Sequence, residues 1–352
     1  MIRRFGCQKT GGKEMKGRRW TIVVLILCML RAICAGACSP EDTVSGVSRT
    51  VMFWNIENFF DPFDDSLAAD EEFLPTGAKR WTWKKFLVKR NAVSKAILSV
   101  KDMTGSFPGL VGFAEVENYM VLSQLVRNTA LSKLDYGIIH RDSPDRRGID
   151  VALLYRKDSF VPVKVGTLPV ITGGRPTRDI LHVTGFFIPD KGQPDTVEVF
   201  VAHFPSKFGG ERLTARYRME AAMVLSAKIN KVLENRKRNI IVMGDFNDTP
   251  NAESLCYLTD YSGLVNLGAM RDRLGRADST EAAPGTIKYK GKWELIDNFL
   301  VNFPAEMLIY NHPALREEDG TYMGIKPFRT YYGPIWHGGV SDHFPILLKI
   351  KR

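Results

Sequence analysis

Several apolar segments of the chain end in side chains that could do chemistry. Residues 240–244 are uncharged and apolar, which predicts a buried strand, and the run stops at Asp245, Asn247 and Asp248. Open α/β sheets bind ligands at their carboxyl edge, where rigid strands aim side chains into a crevice. Taken alone, the same residues also fit a polar turn that closes a core strand.

The pattern recurs at six predicted strand ends, and this recurrence points to a site. Each end alone has a structural explanation, because acids commonly end strands and a lone histidine usually stabilises the fold. If the six ends meet, they form a pocket of carboxylates, carboxamides and two imidazoles. The polar residues at these ends are Asn55, Glu115, His203, Asp245 with Asn247, Asp297, and Asp342 with His343.

The residue types in this set favour phosphoester chemistry. Carboxylate and carboxamide oxygens suit a hard cation such as Mg²⁺, Mn²⁺ or Ca²⁺ better than they suit a tetrahedral zinc site. Such an ion neutralises phosphate oxygens and helps activate water, while imidazoles transfer protons. The set contains no cysteine nucleophile, and the sequence has neither a Gly-x-Ser-x-Gly motif nor a glycine-rich nucleotide loop. The set therefore predicts metal-dependent hydrolysis of a phosphoester.

Two groups of strands with intervening helices must position these ends. Helices are predicted over 83–100, with Thr82 as cap, and over 211–235 and 253–258. No break in composition divides residues 50–352, so we predict one domain with two sheets covered by helices. The predicted strands are 50–54, 109–114, five segments from 136 to 202 that resemble an antiparallel meander, 240–244, 286–289, 295–301, 306–310 and 344–350.

The N-terminus predicts export. An uncharged apolar run at 21–30 follows a lysine and two arginines and precedes small residues, an order typical of a signal peptide ending at residue 38. The run is too short to span a bilayer comfortably. Ala-Gly-Ala-Cys at 35–38 resembles a lipoprotein cleavage box, although Ala35 stands where leucine is usual. We therefore expect a signal peptide over 1–38, a lipidated Cys38 and a tether over 39–48.

The leader also holds most of the net positive charge. Residues 1–37 contain eight lysines and arginines and one acid, so the formal charge falls from +10 to +3 when the leader is removed. Polyanion binding must therefore rest on a local patch. With 44% hydrophobic and 25% charged residues the composition is that of a globular protein. Cys38 and Cys256 alone remain, which excludes a disulfide framework, and Cys256 is expected in the core.

Six motifs occur in the order shown by a known superfamily. They are Trp54-Asn55, Gly112-Phe-Ala-Glu115-Val, Val201-Ala-His203-Phe-Pro-Ser, Gly244-Asp-Phe-Asn247, Leu295-Ile-Asp297 and Ser341-Asp-His343. Over about residues 50 to 352 the chain resembles the endonuclease/exonuclease/phosphatase superfamily, which has the deoxyribonuclease-like fold. The resemblance implies an α/β (α+β) four-layer sandwich in which two mixed β-sheets pack face to face and are flanked by helices.

The resemblance also implies roles for the acidic and carboxamide residues. Glu115 resembles the principal metal ligand, with Asn55 and Asp342 beside it. Asp245 resembles the group that orients or deprotonates the attacking water. Asn247 resembles a hydrogen-bond donor to the phosphorane-like transition state. The implied cofactor is Mg²⁺, with Mn²⁺ and Ca²⁺ as alternatives.

The two histidines receive separate roles from the resemblance. His343 resembles the histidine that contacts the scissile phosphate, with Asp297 holding its tautomer. His203 resembles a second phosphate contact or the acid that protonates the leaving group. Four further residues are candidate substrate contacts: Arg147, Lys207, Arg216 and Trp293. The simpler alternative is a solvated charge for the first three and core packing for the tryptophan. The loop at 311–340 interleaves basic and aromatic residues that could stack on nucleobases or pack against the domain.

The leading interpretation is an exported, divalent-metal-dependent phosphodiester hydrolase acting on DNA or RNA. The alternative is a phosphatase or phosphodiesterase for a phospholipid headgroup, an inositol phosphate or a nucleotide-type metabolite, because this fold serves many phosphate substrates. A non-catalytic binding module is a third interpretation, but it predicts loss of the catalytic set, which is complete. The expected partners are the phosphoester substrate and, through Cys38, a membrane; no obligate protein partner is predicted.

Overall fold

The computed structural model describes residues 49–66, 68–189, 192–234, 238–273 and 283–350. The predicted signal peptide with Cys38 and the predicted tether lie outside the described residues. Among the described helices, none combines the length and the apolar character that crossing a bilayer requires.

Twelve strands build two six-stranded sheets within this part of the chain. The first sheet has the order β11-β12-β1-β2-β4-β3 and the second the order β9-β10-β8-β7-β6-β5. Both are mixed, since β1 with β2 and β7 with β8 are parallel and the other neighbours are antiparallel. The strands are β1 (Arg49–Phe59), β2 (Leu110–Val116), β3 (Tyr136–His140), β4 (Asp150–Arg156), β5 (Phe160–Leu168), β6 (Ile180–Phe187), β7 (Thr196–His203), β8 (Asn239–Asp245), β9 (Val265–Asn266), β10 (Asp297–Val301), β11 (Ala305–Ile309) and β12 (Ile346–Ile350).

The helices begin and end where capping side chains and glycines allow. The hydroxyl of Thr82 accepts a hydrogen bond from the Lys85 N–H at the start of α1, and Gly105, with φ 80°, ends that helix. Asn118 caps α2, a helix that the sequence analysis did not predict. The helices are α1 (Trp83–Thr104), α2 (Tyr119–Arg127), α3 (Glu211–Leu233), α4 (Glu253–Ser262) and α5 (Leu267–Arg273).

Strand β8 shows how the layers are built. Ile241 and Met243 belong to the core between the sheets, whereas Ile240 and Val242 belong to the core that includes the buried face of α3. Successive side chains of a strand point to opposite faces, so Asp245 continues the row that faces the other sheet. The predicted four-layer sandwich is thus confirmed.

Two expectations from the sequence are wrong. The predicted meander is divided, because β3 and β4 pair in the first sheet while β5, β6 and β7 pair in the second. Alternating hydrophobicity fixes which face of a strand is buried, but it does not say which sheet the strand joins. Cys256 is exposed, because Leu255 and Leu258 take the buried side of α4.

Candidate active site

The polar strand ends of the second sheet meet at one edge. Asp245, the last residue of β8, lies in register with His203 of parallel β7 and with Asp297 of antiparallel β10. Asp297 begins its strand, and because β10 runs opposite to β8 its first residue reaches the same edge. Three side chains from distant parts of the sequence are therefore neighbours.

The first sheet supplies the facing half of the site through irregular strand ends. The register of β1 shifts after Asn55 and that of β2 shifts around Glu115, and such bulges re-aim side chains. Ser341 ties the approach to β12 to this edge: its hydroxyl donates to the Asn55 carbonyl (2.6 Å) and accepts from the His343 N–H (3.0 Å). We call the assembled set the polar cluster: Asn55, Glu115, His203, Asp245, Asn247, Asp297, Asp342 and His343.

Backbone strain concentrates here. Four non-glycine residues at this edge have positive φ: Glu57 (46°), Asn58 (53°), Glu115 (63°) and Asn247 (50°). Such conformations are costly for residues with a side chain and are typical of functional sites. Local hydrogen bonds hold them, from the Glu57 N–H to Asn55 Oδ1 (3.0 Å) and from the Asn58 N–H to Glu115 Oε2 (2.8 Å).

Asp245 lies at the centre of the polar cluster. Its Oδ2 accepts a hydrogen bond from Asn55 Nδ2 (2.9 Å) and lies 3.7 Å from His203 Nε2 and 3.9 Å from His343 Nε2. Its Oδ1 accepts a hydrogen bond from the Asn247 N–H (2.9 Å). The carboxylate is thus fixed in orientation between two imidazoles.

Buried neighbours perturb the acidity of the Asp245 carboxyl. Burial and the charge of Asp297 raise the pKa of Asp245 to about 7, although His343 and the hydrogen bond from Asn55 act in the opposite direction. A carboxyl group in this range can exchange a proton near neutral pH, as a general base requires.

His343 is held by a buried carboxylate. Its Nδ1 lies 2.8 Å from Asp297 Oδ2, and its carbonyl accepts a hydrogen bond from Trp54 Nε1 (2.9 Å). Burial alone would lower the pKa of His343, but the ion pair with Asp297 and the charges of Asp245 and Asp342 raise it well above its ordinary value. Nδ1 therefore carries a proton toward Asp297, and Nε2 faces Asp245.

His203 has the opposite surroundings. Burial, followed by the charges of Arg178, Arg147 and His343, lowers the pKa of His203 well below its ordinary value. Its Nδ1 is buried and has no hydrogen-bond partner among the described residues. The surroundings of the two imidazoles that flank Asp245 therefore favour opposite protonation states, the charged form for His343 and the neutral form for His203.

Arg178 is a site residue that the sequence analysis missed. Its buried guanidinium donates to the carbonyls of His203 (3.2 Å) and Phe204 (3.1 Å) and pairs with Asp145 (2.9 Å). These bonds hold the end of β7 where His203 leaves the strand. The arginine lies just before β6, and no periodicity or spacing in the sequence links it to His203.

A second omission is the group around Glu57. Its Oε2 accepts the Thr330 N–H (2.7 Å), and Arg329 Nη2 lies 3.5 Å from Glu57 Oε1 and 3.1 Å from Asp342 Oδ2. The buried Lys89 ammonium donates to the Glu57 carbonyl and to Thr330 Oγ1 (2.8 Å). Burial, then the charge of Asp342, raises the pKa of Glu57 to about 7. Glu57 was not predicted as a site residue from the sequence.

The donor set fits a divalent cation. Glu57, Glu115 and Asp342 offer carboxylate oxygens beside the amide of Asn55, and hard cations prefer such ligands. The Glu115 Oε1 atom receives only a long hydrogen bond (3.4 Å) from Asn55 Nδ2. Asp342 raises the pKa of Glu57 while Lys89 and Arg329 lower it, so the charge of these acids is partly compensated by neighbouring cations, and a bound metal ion would add to that compensation.

Two of the predicted substrate contacts are arginines. Arg147 has a half-exposed side chain (51%) and is close enough to affect the acidity of His203. Arg216 is fully exposed on α3, where its guanidinium hydrogen bonds to Tyr217 Oη (2.7 Å) and lies over that ring. The charge of Arg147 therefore acts on the polar cluster, whereas no described contact joins Arg216 to it, and the role of both arginines in substrate binding stays a prediction.

The other two predicted contacts have structural partners. Lys207 Nζ forms ion pairs with Glu294 (2.8 Å) and Glu211 (3.2 Å), so its charge is already compensated. Trp293 stacks on Phe344, the residue after His343, with ring centroids 5.8 Å apart. The tryptophan supports the segment that carries the histidine.

Comparisons with known proteins agree with this geometry. The model of the Endonuclease/Exonuclease/phosphatase family matches residues 50–352. Among solved structures, the human Nocturnin catalytic domain shares 18% identity over 86% of this chain and 93% of its own (TM-score 0.54). A mannosyl-6-phosphatase of Bacteroides thetaiotaomicron shares 17% over 86% and 98% (0.54), and truncated Caenorhabditis elegans TDP2 shares 16% over 86% and 97% (0.54). No curated protein matches the chain significantly.

Proposed function

The chain belongs to the endonuclease/exonuclease/phosphatase family and is therefore a divalent-metal-dependent phosphoesterase. We propose that it is an exported nuclease, which hydrolyses phosphodiester bonds of DNA or RNA with Mg²⁺. The observation that carries the proposal is the position of Asp245. Its carboxylate lies 3.7 and 3.9 Å from two imidazoles that reach it from separate strands. A carboxylate that can take a proton from water therefore lies next to two imidazoles that can contact a phosphate.

Three residues of the polar cluster, together with Glu57, would bind the cation. Glu115, Asp342, Asn55 and Glu57 would hold it, and when bound it neutralises phosphate oxygens and lowers the pKa of bound water. Asp245 accepts the proton of the attacking water. The backbone N–H of Asn247 orients the Asp245 carboxylate. The side-chain amide of Asn247 donates one hydrogen bond to the Phe204 carbonyl (3.0 Å) and keeps its other N–H free for the phosphoryl oxygens.

The imidazoles bind the phosphate from the other side. Asp297 occupies Nδ1 of His343, so Nε2 is the atom that donates to a phosphate oxygen. Burial lowers the pKa of His203, which favours a hydrogen bond to the phosphate or to the leaving oxygen over the role of a strong acid. Arg178 and Arg147 add positive charge on this side.

Exposed side chains beside the polar cluster support a nucleic-acid substrate. Tyr289 (64% exposed) and Tyr322 (52%) line the same cavity as Asp342, Lys290 and Arg329. Aromatic faces stack on bases of single strands, and cations pair with backbone phosphates. Without its leader the chain has a formal net charge of only +3, which is too small to argue for nucleic-acid binding. The proposal therefore rests on this local patch.

A compact phosphoester is the second candidate. The cavity next to Asp342 has a volume of about 210 Å³, which suits one small group better than a long strand. The similar structures include a mannosyl-6-phosphatase, so this fold also serves a sugar phosphate in another protein.

The leader sequence supports action outside the cytoplasm. The basic, apolar and small residues of the leader at 1–38 are typical of export, and Cys38 at the end of the cleavage box would tether the enzyme to a membrane. Labelling with radioactive palmitate tests the tether, since Cys38→Ser should abolish the label, and a label retained in this variant would refute it.

The decisive test is hydrolysis by the protein from residue 39 onward of plasmid DNA, RNA and bis-p-nitrophenyl phosphate, with Mg²⁺ or with EDTA. We expect metal-dependent nicking that weakens with added salt, and Glu115→Gln should lower it at least about 100-fold, since several kcal/mol of charge stabilisation is lost. Glu234→Gln, exposed at the end of α3, is the matched control. Turnover of the small diester alone would favour the compact substrate, and turnover of nothing would refute both.

A further inference from the structure

A cavity opens beside Asp342 of the polar cluster. The ribbon of Ile287–Tyr289 and Lys292–Glu294 forms one wall, and the ribbon of Arg316–Glu318 and Ile325–Pro327 forms another. The space measures about 210 Å³ and reaches Asp342. Four cations line it: Lys288, Lys290, Lys326 and Arg329. We call it the cation-lined cavity.

The four cations are not equally available to a ligand. The charge of Lys288 is already compensated, because its Nζ forms an ion pair with buried Asp319 at 2.9 Å. Lys326 Nζ lies 3.8 Å from Glu317 and 3.9 Å from Asp319, which is too far for a close hydrogen bond. Lys290 forms no ion pair with any described carboxylate, and its Nζ lies 5.2 Å from the centroid of its neighbour Tyr289. Lys290 therefore has the most unused capacity, and Lys326, which hydrogen bonds to Tyr332 and has only long ion pairs, retains part of its own.

The tip that carries Lys290 is fixed in shape. Lys290 (φ 48°) and Gly291 (φ 79°) both have positive φ, which matches the two central residues of a type I′ hairpin turn. A Cβ on Gly291 would meet the Tyr322 ring at 2.9 Å, so the turn packs closely on the opposite wall. The cavity is therefore built by a defined turn and is not a gap between loose loops.

Arg329 connects the cavity to the polar cluster. Its Nη2 lies 3.1 Å from Asp342 Oδ2, while its guanidinium carbon lies 5.3 Å from the Tyr332 ring centroid inside the cavity. Lys326 Nζ lies over the same ring at 4.9 Å. The buried Arg329 Nε has no hydrogen-bond partner among the described residues. Only the side chain of Arg329 would thus separate an anion in the cavity from Asp342 of the polar cluster.

We propose that the cation-lined cavity is a subsite for a second phosphate group of the substrate, bound by Lys290 and Lys326 while the scissile phosphate lies at Asp245. This inference rests on the proposed phosphoesterase function. The four lining cations exceed the two lining acids, Asp319 and Asp342, so an anion is favoured over a neutral group. The second phosphate is either the neighbouring one in a nucleic-acid strand or one carried by a compact ester, and both present the same chemistry.

The test measures binding by calorimetry in Mg²⁺ and so does not depend on turnover. Thymidine 5′-phosphate is compared with thymidine 3′,5′-bisphosphate, a compact bisphosphate, and with 5′-phosphorylated thymidine dinucleotide, a short strand. Wild-type protein should bind at least one two-phosphate ligand about ten-fold more tightly than the monophosphate, the strength of one charge-assisted contact. Lys290→Ala and Lys326→Ala should each remove most of that advantage. Lys292→Ala, exposed on the same hairpin but outside the cavity lining, is the matched control.

Each outcome decides a separate question. A loss confined to the dinucleotide assigns the cavity to a strand, and a loss confined to the bisphosphate assigns it to a compact ester. Equal binding of all three ligands by wild-type protein would overturn the inference, as would an advantage that survives in both lysine variants. Absence of hydrolysis would refute the proposed function alone, because the binding comparison is read without it.

Discussion

Replacing Asp297 by Asn should disable His343 while leaving the fold intact. The carboxylate is buried and lies 2.8 Å from His343 Nδ1. Asparagine preserves its size but removes the charge that favours the imidazolium and fixes its orientation. The substitution therefore isolates the electrostatic contribution of one buried pair from the packing around it.

The expected magnitude follows from the geometry. Two charges 2.8 Å apart attract by about 6 kcal/mol at an effective dielectric constant of about 20. Removing one partner of a buried pair costs about 3 to 5 kcal/mol in practice. If the transition state loses that amount, kcat/KM should fall about 10²- to 10⁴-fold.

The assay is hydrolysis of bis-p-nitrophenyl phosphate in saturating Mg²⁺, in a double-mutant cycle with His343→Ala. Because Asp297 acts through the histidine, adding Asp297→Asn to His343→Ala should cost less than about three-fold more. Asp260→Asn, exposed on α4, controls for an Asp to Asn change, and thermal unfolding checks the fold. Independent, multiplicative losses from the two substitutions, or an unimpaired Asp297→Asn enzyme, would refute the assigned role.

Three further predictions concern stability. A Cβ at Gly244 would lie 2.5 Å from a carbonyl oxygen of the neighbouring strand, so Gly244→Ala should cost about 1 to 3 kcal/mol in urea unfolding, whereas Gly166→Ala, with nothing within 4 Å, should not destabilise. Burial alone would raise the pKa of Glu198, but hydrogen bonds led by that from His182 lower it. Its stabilisation is therefore present above the unfolded value of 4.5 and lost below it, and the deficit of Glu198→Gln in unfolding free energy should be larger at pH 7 than at pH 4. Mg²⁺ at 100 times its Kd should stabilise EDTA-treated protein by about 2.7 kcal/mol in thermal unfolding, and Glu115→Gln should lose this shift.

The sequence could predict those site residues that end an apolar run. Asp245 and His203 each end a buried strand, and Glu115 lies one residue before the end of another. Strands of a mixed sheet share their edges, so residues at such ends meet whatever their distance in sequence. Asp297 and His343 were also predicted in this way, although Asp297 is the first residue of its strand and His343 precedes its strand.

The sequence could not predict the residues that act on the site through long-range contacts. Arg178 reaches His203 through a backbone carbonyl, and Lys89 reaches Glu57 in the same way. Every residue has a backbone carbonyl, so the residue that accepts such a hydrogen bond can be of any type. The sequence therefore shows no pair of complementary side chains that would reveal the contact. Helix α2 was missed for a different reason: its nine residues are too few for a clear helical period.

The catalytic edge is also where the two sheets are joined by polar contacts. Asn55 of the first sheet donates to Asp245 of the second at 2.9 Å, and Trp54 donates to the carbonyl of His343, whose ring is bound to Asp297 of the second sheet. These directional bonds depend on both distance and angle, and therefore on the position of one sheet relative to the other. Activity should therefore be more sensitive than stability to substitutions in the core between the sheets, since the core sets the register in which the two halves of the site meet.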